Sequence, residues 1–319
     1  MALYQRGSQG PDVARIQTRL RELALYAGPL DGDFGGGTES AVKAFQKANG
    51  LSVDGIVGPE TSAALFGGVA IEPPAITTAP LEQRCLALTG SFETGQPPPE
   101  CFAGLSGDFD SQGLSLGVCQ WNFGQGSLQP LLQEIDRRHP EIVDAIFQDH
   151  AAELRAVLKG SQDDQMSWAR SIQDGQNRVT EPWRGLLKSL CRREEFQAVQ
   201  TNHANALLAA ARALCAEFAV RSQRALALLF DIKVQNGSIG KIVKAQIVRD
   251  FAALRPSGEA NADEVARLQI IANRRAEAAE PRWVDDVRAR KLTIANGQGT
   301  VHGRFYNLHE QYGIGISAA

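Results

Sequence analysis

Apolar positions in the first part of the chain recur with the period of a helix. Val13, Ile16, Leu20 and Leu23 lie three or four residues apart, which predicts an amphipathic first helix. Val42, Phe45 and Leu51 extend the apolar set. Between these positions runs an internal repeat. Asp31-Gly32-x-x-Gly35-x-x-Thr38-x-x-Ala41 returns as Asp54-Gly55-x-x-Gly58-x-x-Thr61-x-x-Ala64. Each copy reads as a turn feeding a helix: Asp-Gly makes the turn with one residue at positive φ, and the next Gly stands near the N-cap. Thr then falls in the first helical turn and Ala packs inward. In the second copy Pro59 occupies the first helical position, where its missing N–H costs nothing. The pattern predicts three short helices ending near Phe66-Gly67.

The periodicity then stops. Residues 68–80 contain Pro73, Pro74 and Pro80 and read as a semi-extended linker. From residue 81 to 319 the pattern is again mainly helical, apart from a Gly-rich stretch from Gly104 to Gly126. The run Ala225 to Gln235 is apolar nearly all round, as expected for a helix enclosed by others. The expected organisation is a small helical bundle over 1–67, a linker over 68–80 and a larger, mainly α domain over 81–319.

Composition narrows the function. An apolar content of 43%, a charged content of 22% and a net charge of -3 describe a globular protein without a basic stripe. Nucleic acid is thereby disfavoured as a partner. The apolar stretch from Ala204 to Ile232 is broken by Arg212, Glu217, Arg221 and Arg224, so no membrane insertion is expected. Met1-Ala2-Leu3-Tyr4-Gln5-Arg6 lacks the apolar core and cleavage site of a signal peptide. The expectation is synthesis in the cytoplasm, with any export by another route. Five cysteines without a CxxC pair fit buried thiols, although Cys101–Cys119 is open to bridging in an oxidising compartment.

Residues 5–66 resemble the peptidoglycan-binding type 1 module. The matching pieces are Arg6-Gly-Ser-Gln-Gly-Pro-Asp-Val13, Ile16-Gln17…Leu20, Asp31-Gly-Asp-Phe-Gly35, Ala41-Val…Phe45-Gln46 and Gly50-Leu…Asp54-Gly-Ile-Val-Gly-Pro59. The resemblance implies binding of cell-wall glycopeptide. Asp33 and Phe34, read as exposed beside the turn, are candidate wall-binding residues. An EF-hand reading of Asp31-x-Asp33 fails, because position five is Gly35 and no Glu follows at position twelve.

A glycosidase needs one carboxyl kept protonated as general acid and one ionised to activate water or attack the sugar. Glu93 follows the apolar stretch from Cys85 to Leu88, where burial would suit a general acid. Asp110 lies in a Gly-flanked polar loop that keeps a carboxylate solvated. This arrangement resembles the family 46 chitosanases and their lysozyme-superfamily relatives, in which a Glu ending a helix is the acid and an Asp opening an Asp-x-x-Gly-x-Thr/Ser turn is the base. Glu93 matches the Glu, Asp110-Ser-Gln-Gly113-Leu-Ser115 matches the turn, and Ser115 takes the water-holding hydroxyl. Asp108 is an alternative base or a substrate contact. Gln120 and Trp121 are candidates for the cleft wall, with a core position open for Trp121. Asp231 and Gln235 share one helix face and are candidates for either substrate contact or anchoring the fold.

No cofactor or metal is expected: the five histidines show no HExxH pattern, and an Asp108-x-Asp110 calcium loop lacks its Glu at position twelve. The expected function is cleavage of β-1,4 bonds in peptidoglycan glycan strands by a muramidase-type glycoside hydrolase, acting on the wall after phage-type release or delivery as an effector, with an immunity protein as an expected partner in the second case. Chitosan hydrolysis, lytic transglycosylation and an inactive wall-binding protein are the alternatives.

Overall fold

The computed structural model describes residues 4–8, 10–68, 74–109 and 111–319. The fold is mainly helical and divides into two compact units, Met1–Arg84 with Arg212–Ala319, and Cys85–Ala211.

The first unit begins with α1 (Pro11–Glu22), α2 (Gly36–Ala48) and α3 (Pro59–Leu65). Val13, Ile16, Leu20, Phe34, Val42, Phe45 and Leu65 form a core of their own among these helices. Leu23 falls just beyond α1 and is exposed, so the apolar stripe ends one turn earlier than its spacing predicts. The repeated turns explain the helix starts. Gly35 and Gly58 are the N-caps, and Gly32 and Gly55 take φ of +73° and +79°. Ala41 packs inward, whereas Ala64 is exposed and Leu65 fills the inward position of the second copy.

Two buried glutamines lock the repeat. Gln17 Nε2 donates to Asp31 Oδ1 at 2.9 Å, the Asp33 carbonyl at 2.9 Å and Thr38 Oγ1 at 3.3 Å, while its Oε1 accepts the Gly32 N–H at 2.9 Å. Gln46 repeats the pattern with Asp54, the Ile56 carbonyl, Thr61 and the Gly55 N–H. Each amide thus ties a turn to the start of the next helix and satisfies the buried Gly N–H and Thr hydroxyl there.

The same unit continues with the single 3-10 turn Ala75–Thr78, which buries Ile76. In its C-terminal part, α12 (Gln223–Asn236) buries every residue from Ala225 to Ile232. Against it pack α14 (Ala260–Glu277) and α15 (Val284–Asn296), α13 (Lys241–Ala253) packs on α14, and the hairpin β4–β5 (Gln298–Val301 and Arg304–Asn307) follows.

The second unit takes α4 (Leu81–Thr94) from Cys85 onward. A small antiparallel sheet follows, β1 (Leu105–Ser106), β2 (Ser115–Leu116) and β3 (Trp121–Asn122) in the order β1-β2-β3. This sheet occupies the Gly-rich stretch. The helices α5 (Gln129–Arg138) to α10 (Glu194–His203) complete the unit. Leu114, Leu116 and Phe123 carry the sheet's apolar side into a core shared with Leu128, Leu131 and Phe147. Phe123 meets Trp168 edge-on at 5.9 Å, and Trp168 meets Trp183 at 4.8 Å.

Candidate active site

Three pieces of the second unit form the candidate site: the end of α4, the β1–β2 loop and the β2–β3 turn. Residues Cys85 to Phe92 of α4 are buried, and Gly90 lets the helix lie directly on its neighbours. A Cβ at Gly90 would come 2.7 Å from the Cys101 carbonyl and 2.5 Å from Val118 Cγ2. Glu93, three residues on and therefore on the same helix face, lies near enough to Cys119 of the β2–β3 turn for its charge to be felt there. Glu93 is exposed. The burial expected from the apolar stretch ends at Phe92, because the helix leaves the core in its last turn.

Burial, with the nearby Glu93 charge adding to it, pushes the Cys119 thiol up to about 12. A thiol held protonated is a poor nucleophile, which argues against a cysteine peptidase. All five cysteines are free, Cys101 and Cys119 among them.

Asp108 has a structural post. Its carboxylate accepts the Gly113 N–H at 2.7 Å and Arg170 Nε at 2.7 Å, and the Arg170 hydrogen bond holds its carboxyl below the usual range. Both oxygens are engaged in closing the loop, so Asp108 does not serve as a ready base. Gln173 ties the same loop at both ends: its Oε1 accepts the Asp108 N–H at 2.8 Å and its Nε2 donates to the Gly113 carbonyl at 3.0 Å. Asp110 lies outside the described residues.

Ser115 is in the central strand opposite Ser106 and Asn122, and is buried. Gln120 is exposed, with its Oε1 accepting from Ser106 Oγ at 2.8 Å and its Nε2 donating to the Gly117 carbonyl at 2.9 Å. Trp121 is half-buried and packs against the core. The fully buried Gln200 accepts the Val118 N–H at 3.0 Å and so pins the β2–β3 turn. Arg170, Gln173 and Gln200 escape sequence reasoning, because each meets its loop across 60 residues or more.

Two candidate residues move to the interior of the first unit. Asp231 is wholly buried and shared by Arg290, at 2.7 Å, and Lys291; Gln235 Oε1 accepts from Lys291 Nζ at 2.6 Å. Asp231 therefore anchors α12 to α15 and does not meet a sugar. Gln235, half-buried, belongs to the same network. Phe34 is likewise core, 1% exposed, since its backbone pairs with Gly7 and Ser8 and turns the ring inward. Asp33 is exposed and lines a cleft of about 490 Å3 with Tyr26, Asp31, Gly37 and Ser40. Among the described residues, no group of three or more His, Cys, Asp or Glu is placed to hold a metal, and no helix is long and apolar enough to cross a membrane.

Residues 9–65 match the family described as "Putative peptidoglycan binding domain". Over 57 residues, 18% of this chain, the sequence is 47% identical to the N-acetylmuramoyl-L-alanine amidase CwlM of Mycobacterium tuberculosis, of which the match covers 14%. Over 59 residues, also 18% of this chain, it is 46% identical to the spore cortex-lytic enzyme of Bacillus cereus, covering 23% of that protein. The chain thus spans less than a quarter of these curated relatives. Among solved structures, it is similar to a Gynuella sunshinyii family 46 chitosanase complexed with chitotetraose, at 16% identity and TM-score 0.41, over 72% of this chain and 97% of that one. A native chitosanase from Bacillus subtilis aligns at 17% identity and TM-score 0.40, over 69% of this chain and 87% of that one.

Proposed function

We propose that the chain is a cell-wall hydrolase that cuts β-1,4 glycosidic bonds of peptidoglycan, with Glu93 as general acid and Asp110 as the base that activates water. The observation that carries the substrate class is the match of residues 9–65 to a peptidoglycan-binding domain. The matched relatives are named for wall-cleaving enzymes, which fits a module that delivers different catalytic domains to one polymer. Holding an enzyme on an insoluble substrate raises its effective concentration there. Within the module, the cleft beside Asp33 and Tyr26 is the proposed wall contact.

The reading of Asp110 and Ser115 as a pair that holds one water below the sugar implies single displacement, which calls for ~6.5–9.5 Å between the Glu93 and Asp110 carboxyls, against ~5–5.5 Å for direct attack. The proposed product is the α-anomer. Ser115 is the proposed partner of Asp110 in holding the water. The engagement of Asp108 in the loop clamp leaves Asp110 as the favoured base. The loop's resemblance to family 46 supports chitosan as a second reading.

Glu93→Gln tests the assignment on purified sacculi. The amide cannot donate a proton to the leaving oxygen, so turnover should fall by about 10^2–10^4-fold with the fold intact. Asp110→Asn should be comparably severe, Ser115→Ala slower than wild type, and Asp108→Asn milder. Equal, mild losses in all four variants would sink the constellation.

A further inference from the structure

We propose that Phe109 is a stacking platform for one sugar ring of the glycan and sets its register in the site. This inference rests on the glycosidase reading above. Phe109 is 67% exposed, and of the exposed large hydrophobic residues among those described it alone lies in the second unit. Its exposure does not follow from a loose loop. The Phe109 N–H donates to the Gly107 carbonyl at 2.9 Å, and the preceding Asp108 is held through both its N–H and its carboxylate. Gln173 and Asp108 both tie the start of the loop to Gly113. The ring is thus presented to solvent from a backbone closed by hydrogen bonds on either side.

The surroundings identify the occupant. Asp108, Ser111, Gln112 and Arg170 make the neighbourhood polar, and Arg170 is itself half-exposed. A membrane or a protein partner requires a contiguous apolar patch of several hundred Å2, which a lone ring among polar side chains does not offer. A pyranose has the complementary form: an apolar C–H face the size of one aromatic ring, rimmed by hydroxyls. Phe109 also precedes the proposed base by one residue in the sequence, so a sugar stacked on it belongs near the bond to be cut.

The test uses the full chain and soluble glycan strands prepared from peptidoglycan by removing the stem peptides. Phe109→Ala should raise KM roughly tenfold, the scale of one aromatic contact, with kcat little changed. Phe109→Trp should restore KM, and the thermal midpoint should be nearly the same in all three proteins because the residue is 67% exposed. In a Glu93→Gln background, the emission of the Trp introduced at 109 should shift on titration with the strands. An unchanged KM in Phe109→Ala, while Glu93→Gln abolishes turnover, overturns the platform and leaves the glycosidase reading standing. If the wild-type chain leaves the strands uncut, the glycosidase reading fails and the titration decides: an unshifted emission overturns the platform as well.

Discussion

Asp108 and Arg170, 62 residues apart in the chain, meet at 2.7 Å and close the loop that precedes β2. Because the same carboxylate also accepts the Gly113 N–H, the pair fixes both the position and the charge of the loop.

This clamp predicts a pH dependence. The folded-state pKa of Asp108 is depressed, first by the Arg170 hydrogen bond. Its contribution is therefore present above the unfolded carboxyl value of about 3.9 and is lost as pH falls through the lower folded value. Arg170→Met should destabilise the protein by about 0.5–1 kcal/mol at neutral pH, the small figure reflecting the half-exposed guanidinium. The gap between variant and wild type should close in acid. Urea unfolding at neutral pH and at about pH 2.5 checks this, and a gap of undiminished size in acid contradicts it.

Gln17 and Gln46 make parallel networks, so their loss should have parallel consequences. Gln17→Met takes this partner from the buried Gly32 N–H and the buried Thr38 hydroxyl, and Gln46→Met does the same for Gly55 and Thr61. Each should cost about 2–3 kcal/mol and weaken retention of the chain on insoluble peptidoglycan. Wild-type stability and retention in either variant would mean that the amides are replaceable.

Asp231→Asn should be far more damaging than any surface change. It leaves Arg290 and Lys291, both buried, without the carboxylate they share, a loss of about 3–5 kcal/mol. Thermal unfolding measures it. A shift within the range of surface substitutions would show that the network is dispensable.

The residues that could be read from sequence are those whose partners are local. The Asp-Gly turns, the Gly N-caps and the buried run from Ala225 to Ile232 all follow from spacing of a few residues. Phe34 was misleading because Asp33-Phe34-Gly35 has the composition of an exposed turn; only the pairing with Gly7 and Ser8 turns its ring inward. Asp231 and Gln235 share a helix face as their spacing implies, but their partners arrive nearly 60 residues later on α15. Side-chain amides such as Gln173 and Gln200 tie loops across the fold and leave no periodic trace. The burial expected at Glu93 did not follow from the apolar run before it: the helix continues to Thr94, but its burial stops at Phe92.

The central claim is that Glu93 protonates a glycosidic oxygen in the wall polymer. Mass spectrometry of the soluble products from purified sacculi, treated with wild type and with Glu93→Gln, tests it most directly. The account predicts fragments with ordinary reducing ends from wild type and almost none from the variant. Proton NMR in the first minutes should show the α-anomer. Cleavage of amide bonds, 1,6-anhydro ends, or equal release by the Glu93→Gln protein would contradict it.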